Sequence, residues 1–203
     1  MDKYIFDRTL VPAVDLNKHG NPNWFTSWAE IDQFAEERYA TIKGVLEDLA
    51  KESVTIAEIG LRFGYGTHAM IKAAYPSIRY IGIDREDFSS TVLKLQSRFP
   101  KAECEFRLLD TQKTAGRLLN KDESADVVYI DAGLGSLEVL RDLDLAWASI
   151  ATPGVIIINN YTFKFKRSGV KQAVDEFVEE HKSQIRRTTL ITSLRGEYVI
   201  VRK

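Results

Sequence analysis

Cysteine is almost missing from this sequence: Cys104 stands alone among 203 residues. One thiol excludes an internal disulfide and a zinc site built from cysteines. It falls in a strand pattern, where burial in the core is expected. An excess of either charge is also missing. Lys and Arg number 28 against 29 Asp and Glu, a formal net charge of −1, so the chain carries no broad electrostatic footprint for nucleic acid or for a membrane. Long apolar runs are missing too. The longest, Val155 to Ile158 with its flanks, is far short of the ~18 residues of a membrane span. The first residues, Met1-Asp2-Lys3-Tyr4, lack the charged-then-apolar layout of a secretory signal. A reducing cytoplasm is the expected compartment. What is present, 44% hydrophobic and 28% charged residues, suits one globular domain over 1–203 with a single good core.

The chain is organised around Ala57-Glu58-Ile59-Gly60-Leu61-Arg62-Phe63-Gly64-Tyr65-Gly66-Thr67. An apolar run, Val54 to Ile59, enters this glycine-rich turn, and a helical pattern through Ala69, Met70, Ala73 and Ala74 leaves it. Strand, turn and helix make a first βα unit with a crevice at the strand's carboxyl end. Glycines let backbone approach a ligand closely, and the helix N-terminus offers N–H groups to a carboxylate or phosphate. Gly60-x-x-x-Gly64-x-Gly66 is not the G-x-G-x-x-G of dinucleotide binders. Glu58, two positions before the first glycine, can receive an ammonium group as the helix end receives a carboxylate. That pair of charges matches the amino-acid end of S-adenosylmethionine.

Residues 1–26 have no sustained period and carry Tyr4, Phe6, Trp24 and Phe25 among turn formers. They read as an arm packed on the surface or as a substrate lid. Thr26 or Ser27 is placed to cap a helix, with Glu30 at its third position if Ser27 caps. Ile31, Phe34, Ala35, Tyr39, Ile42, Val45, Leu46 and Leu49 then recur at helical spacing to near Ala50. After Pro76-Ser77, Arg79 to Asp84 reads as a second buried strand. Asp84 lies 24 residues past Gly60, close to the ~20-residue interval of a ribose-binding carboxylate; its alternative is a cap for the helix starting near Ser89. That helix runs through Val92, Leu93, Leu95 and Phe99. Glu103 to Leu109 reads as a third strand, followed by Asp110-Thr111 and a helix near Gln112 to Leu119 that Asp110 would cap. Ala125 to Asp131 gives a fourth strand, and Leu137, Leu140, Leu143, Ala146, Trp147 and Ile150 an apolar helical stripe. Val155 to Asn160 is a buried fifth strand. Gly169-Val170 opens a further helix, and Ile185–Thr192 with Glu197–Val201 closes the chain as a hairpin.

The glycine turn and these landmarks together resemble the Rossmann-type S-adenosylmethionine-dependent methyltransferases. Glu-Ile-Gly-x-x-x-Gly-Tyr-Gly is similar to motif I of the catechol O-methyltransferase-like branch and of small bacterial sugar and natural-product methyltransferases. The resemblance covers 54–203 and leaves the N-terminal arm and helix, 1–50, unassigned. It implies a three-layer α/β fold with a seven-stranded, mostly parallel sheet in the order 3-2-1-4-5-7-6 and an antiparallel C-terminal pair. It also implies methyl transfer to a small molecule, at oxygen, with S-adenosylhomocysteine as product. Glu58, Gly60, Gly64, Gly66 and Thr67 would hold the methionine end and Asp84 the ribose. Asp110 and Thr111 would meet the adenine, and Asp131 would lie beside the transferred methyl.

In that branch a Mg²⁺ ion is held by an Asp after strand four and an Asp-Asn pair after strand five; here the matching positions are Asp131, Asn159 and Asn160. The family's catalytic Lys falls at Leu134, which cannot be a base. One negative charge instead of two is a poor site for a hard dication, so no divalent metal is expected and Asn159 and Asn160 are assigned to the acceptor. An ordinary Asp is a weak base for a phenol and weaker for an alcohol. His68 reads as surface or packing, and His19 and His181 as exposed. Lys164, Lys166 and Arg167, interleaved with Phe163 and Phe165, form either a solvated loop or a grip for an anionic substrate, Arg167 being the better bidentate donor. Two rivals stand beside methyl transfer: the same fold using S-adenosylmethionine for another reaction or as a structural ligand, and a non-catalytic binding protein. A nicotinamide oxidoreductase is disfavoured by the glycine spacing. The acceptor, the general base and the oligomeric state stay open.

Overall fold

The computed structural model describes residues 28–62, 64–162, 169–193 and 196–203. Its elements are α1 (Trp28–Leu49), β1 (Val54–Ile59), α2 (Tyr65–Ala74), β2 (Ile78–Asp84), α3 (Ser89–Arg98) and β3 (Glu103–Leu108). There follow β4 (Ala125–Ile130), α4 (Ser136–Ser149), β5 (Ile150–Ile158), α5 (Val170–Glu180), β6 (Arg187–Ser193) and β7 (Gly196–Arg202). The seven strands form one sheet in the order β3-β2-β1-β4-β5-β7-β6. The first five run parallel to one another, and β7 runs antiparallel to both β5 and β6. This is the order expected from the sequence.

Alternation along the strands divides the core between the two faces of the sheet. Ala57, Ile59, Ile81, Ile83, Val128, Ile130, Ile156 and Ile158 meet Leu143 of α4 and Phe177 of α5. Ile56, Tyr80, Val127, Tyr129 and Ile157 meet Ile42 of α1, Met70 of α2 and Leu95 of α3. Because both faces are covered, β1, β4 and β5 are buried along most of their length, which is why they read as continuous apolar runs. Among the described residues no helix is long and apolar enough to cross a membrane.

Three local expectations are corrected. No helix forms at 112–119. Asp110 instead closes a turn, accepting from the Gln112 N–H at 3.1 Å and, through its carbonyl, from the Thr114 hydroxyl at 2.8 Å. Gly116 at φ +83° then reverses the chain so that Leu118 and Leu119 enter the core. Leu137, assigned to the apolar stripe of α4, is 80% exposed; it sits in the first turn, whereas Val139, Leu143 and Ala146 face the sheet. His181 is half-buried rather than exposed, stacked on Phe177 with ring centroids 4.2 Å apart. Cys104 is half-buried against the core. The arm over 1–27, Phe63 and the 163–168 loop with Lys164, Lys166 and Arg167 lie outside the described residues.

Candidate active site

Strand order reverses between β1 and β4, and in open α/β sheets the crevice beyond that switch is where ligands bind. A cavity of about 270 Å³ opens there, lined by residues that include Gly60, Asp84, Asp110, Thr111, Gln112 and Asp131. Ile83, Phe88 and Leu109 give it an apolar wall. The lining thus combines the carboxylates Asp84, Asp110 and Asp131 with apolar side chains, a chemistry that fits a nucleoside.

The glycine turn is shaped by the protein itself. Gly60 has φ +86°, and a Cβ there would lie 2.6 Å from the carbonyl oxygen of Asp131 and 2.9 Å from the Ala132 backbone. The end of β1 is therefore pressed directly against the end of β4. Gly66, in the first turn of α2, has the Glu58 Oε1 atom 2.4 Å from where its Cβ would stand. Gly64 caps α2 in a left-handed conformation and contributes no side chain to the cap.

Glu58 was expected to receive a ligand's ammonium group, yet it is absent from the cavity lining and is 1% exposed. As the alternating partner of Ala57 and Ile59 it points to the α1–α3 face. Its Oε2 accepts from the hydroxyls of Thr67 and Tyr80, both at 2.5 Å. Burial pushes its pKa up to about 8, against the opposing effect of those two hydrogen bonds.

Asp84 does line the cavity. Its Oδ2 accepts from the Leu61 N–H at 2.9 Å and its Oδ1 from the Glu86 N–H at 3.1 Å. It does not cap α3, since the Ser89 N–H is bonded to Asp87. A carboxylate has about four acceptor sites, so capacity toward a diol remains. Beyond β3, Asp110 and Thr111 are fixed by α4: Arg141 donates to the Thr111 carbonyl at 3.0 Å, and Gln112 donates to Asp142 at 3.1 Å. Asp142 is buried, which raises its pKa to about 6. Gln112, Arg141 and Asp142 were not singled out in the sequence. Their one signal is an Asp inside the apolar face of α4.

Asp131 ends β4 with both carboxylate oxygens engaged. Arg38 of α1 donates to Oδ2 at 3.4 Å, and Asn160 donates to Oδ1 through its amide nitrogen at 3.2 Å. Asn160 is in the left-handed region at φ +62°, with its own N–H bonded to Asn159 Oδ1 at 2.9 Å. Arg38 was missed by sequence reading. Burial works against its charge, but Tyr129, Asp131 and Tyr198 outweigh that and raise its pKa. Leu134 packs against the core, and His68 is fully buried with its ring 5.4 Å from that of Phe99. Among the described residues no three His, Cys, Asp or Glu side chains are grouped to hold a metal ion.

Comparison with known proteins agrees with this architecture. The O-methyltransferase TomG from Streptomyces achromogenes, solved with S-adenosylmethionine, is 16% identical with a TM-score of 0.59, covering 97% of this chain and 92% of its own. An O-methyltransferase from Bacillus cereus, solved with S-adenosylhomocysteine, is 16% identical with a TM-score of 0.61 over 86% of this chain and 90% of that one. A precorrin-6y C5,15-methyltransferase from Geobacter metallireducens is 16% identical with a TM-score of 0.58 over 81% and 86%. At this identity the likeness is one of fold. No curated protein matches the chain. A family model described as a methyltransferase domain matches residues 57–161, just over half of the sequence and the part that builds the cavity. The chain belongs to this methyltransferase-domain family of Rossmann-like, S-adenosylmethionine-dependent enzymes.

Proposed function

We propose that the chain methylates an oxygen of a small-molecule acceptor, with S-adenosylmethionine as donor and no divalent metal. The observation that carries this reading is the slot at the β1/β4 switch, with Asp84, Asp110 and Thr111 in its lining together with Asp131. Gly60, Gly64, Gly66 and Thr67 present backbone to the methionine end, and Glu58 holds that turn from beneath. Asp84 takes the ribose, Asp110 and Thr111 the adenine. Asp131, Asn159 and Asn160 face the acceptor, with Arg167 as a further anion contact. When bound, S-adenosylmethionine supplies an electrophilic methyl on sulfur; the protein's part is to align and prepare the oxygen.

The near-zero net charge supports a small acceptor over a nucleic acid. The residues at Asp131 do not fit a Mg²⁺ ion, which wants near-octahedral oxygen ligation with one or two carboxylates. The Asn160 amide presents nitrogen to Asp131, Arg38 brings a positive charge there, and Asn159 Oδ1 is engaged with backbone. The reading is tested by incubating the protein with methyl-labelled S-adenosylmethionine and a panel of phenols, enols, carboxylic acids, alcohols and amines. Turnover is expected on an oxygen acceptor and should survive EDTA unchanged. Loss of activity on chelation with recovery in Mg²⁺ would restore the metal. Binding of the donor with no methylated product from any acceptor would favour its use for another reaction or as a structural ligand.

A further inference from the structure

The cavity wall beyond β3 is backed by a carboxylate that does not itself reach the cavity. Asp142 lies midway along α4, is 1% exposed, and is absent from the lining. Thr111 and Gln112 do line it. The Gln112 amide nitrogen donates to Asp142 Oδ1 at 3.1 Å, and reaches the Glu138 carbonyl and Thr111 Oγ1, each at 3.3 Å. A backbone carbonyl and an ionised carboxylate can only accept, so the amide must turn its nitrogen to α4. The Thr111 hydroxyl bonds to Asp142 as well. The charged groups facing Asp142 are Glu138 and Arg141 on α4 and Asp110 on the loop after β3. Arg141 donates to the Thr111 and Thr114 carbonyls. Among the described residues Asp142 thus has neutral donors and no ion pair. Burial raises its pKa to about 6, so the folded protein carries this buried charge at neutral pH.

We propose that Asp142 is a positioning residue for nucleoside binding: its ionised carboxylate fixes Thr111 and Gln112 at the cavity wall, and nucleoside affinity falls when that charge is removed. This rests on the reading of the cavity as the S-adenosylmethionine site. Hydrogen bonds to a charged acceptor are roughly twice as strong as neutral ones, and a side chain fixed beforehand loses less freedom when a ligand arrives. A protonated Asp142 still accepts, but holds Thr111 and Gln112 more weakly. Its effect on folding has the opposite sign. The unfolded carboxyl has its ordinary value of 3.8 and the folded one about 6, so the folded state binds more protons between them. Its contribution to stability is full below about pH 3.8 and lost above about pH 6. Nucleoside affinity is weak where that contribution is present and full where it is gone. Opposite trends with pH separate a positioning role from a merely structural one.

The test is calorimetric titration of S-adenosylhomocysteine and of adenosine between pH 5 and pH 7.5, on wild type and Asp142→Asn, with a thermal melt at each pH. Wild-type affinity is expected to be about tenfold weaker at pH 5 than at pH 7.5, the ratio for a group titrating near 6 whose ionised form alone binds. Asp142→Asn should bind about tenfold more weakly than wild type at pH 7.5 and change little down to pH 5. It should melt no lower than wild type at pH 7.5, because Asn carries no charge to bury. If Asp142→Asn does not fold, wild type titrated in two buffers of different ionisation heat decides. About half a proton should then be released per bound ligand at pH 6, and almost none at pH 7.5. A flat wild-type profile without proton release, wild-type affinity in Asp142→Asn, or the same pH dependence in both proteins overturns the assignment alone. No heat from either ligand at any pH overturns it together with the cofactor reading.

Discussion

Glu58→Gln is expected to remove most of the alkaline destabilisation of the unliganded protein. Glu58 is buried, and burial raises its pKa from an ordinary 4.5 to about 8. Between those values the folded state binds more protons than the unfolded state, so stability falls as pH rises through that window. The contribution is fully present below about pH 4.5 and lost above about pH 8. A shift of this size corresponds to on the order of 5 kcal/mol, since each unit is about 1.4 kcal/mol. Gln keeps the shape and an oxygen for the Thr67 and Tyr80 hydroxyls but cannot ionise. In a protein of this size about 1 kcal/mol moves the melting temperature by roughly 2–4 °C. The variant should therefore melt near the wild type at pH 5 and roughly 10 °C above it at pH 9. Parallel melting curves across that range would show that Glu58 is not the titrating group.

Gly60→Ala is expected to be the most damaging single methyl in the site. The substitution forces a Cβ into φ +86° and places it 2.6 Å from the Asp131 carbonyl oxygen. Left-handed strain costs about 1–2 kcal/mol, and the clash with backbone, which cannot rotate away, adds roughly 1–3 kcal/mol. Gly116→Ala separates the two costs. Gly116 has nearly the same φ, +83°, but no atom lies within 4 Å of its added Cβ. Thermal melts should rank wild type above Gly116→Ala, and Gly116→Ala above Gly60→Ala by several degrees. Because the clash moves Asp131, Gly60→Ala should also lose affinity for S-adenosylhomocysteine while Gly116→Ala keeps it. Equal melting temperatures for the two variants would mean that β1 and β4 are not in close contact at the cavity.

The parts of the fold that were legible in the sequence are those where burial leaves no choice. The central strands are covered on both faces, so Val54 to Ile59 and Val155 to Ile158 read as strands from composition alone. The turn at Gly60 is dictated by backbone geometry, and it marks the cavity. Arg38 was hidden for the opposite reason. It stands in line with Ile42, Val45 and Leu49 on the inner side of α1, spaced by four, three and four residues, and a stripe read only for apolar residues passes over it. The segment after Asp110 was misread because a capping Asp before Thr and Gln suits a helix and a turn equally. Only the tertiary partners decide: Ser149 takes the Leu118 N–H at 2.8 Å, and Arg141 holds the Thr111 and Thr114 carbonyls. Glu58 was assigned to the ligand because spacing places it at the turn; strand alternation, which sends it to the other face from Ile59, was the missing step.

Calorimetry with S-adenosylhomocysteine and with NAD tests the central claim most directly. The cavity, the glycine spacing and Asp84 predict that S-adenosylhomocysteine binds and NAD does not. Asp84→Ala should weaken that binding by roughly 1.5–3 kcal/mol, the scale of hydrogen bonds to a charged group, alongside a lower melting temperature of the free protein, because the Leu61 and Glu86 N–H groups lose their acceptor. Heat from NAD with none from S-adenosylhomocysteine, or an undiminished affinity in Asp84→Ala, would contradict the account.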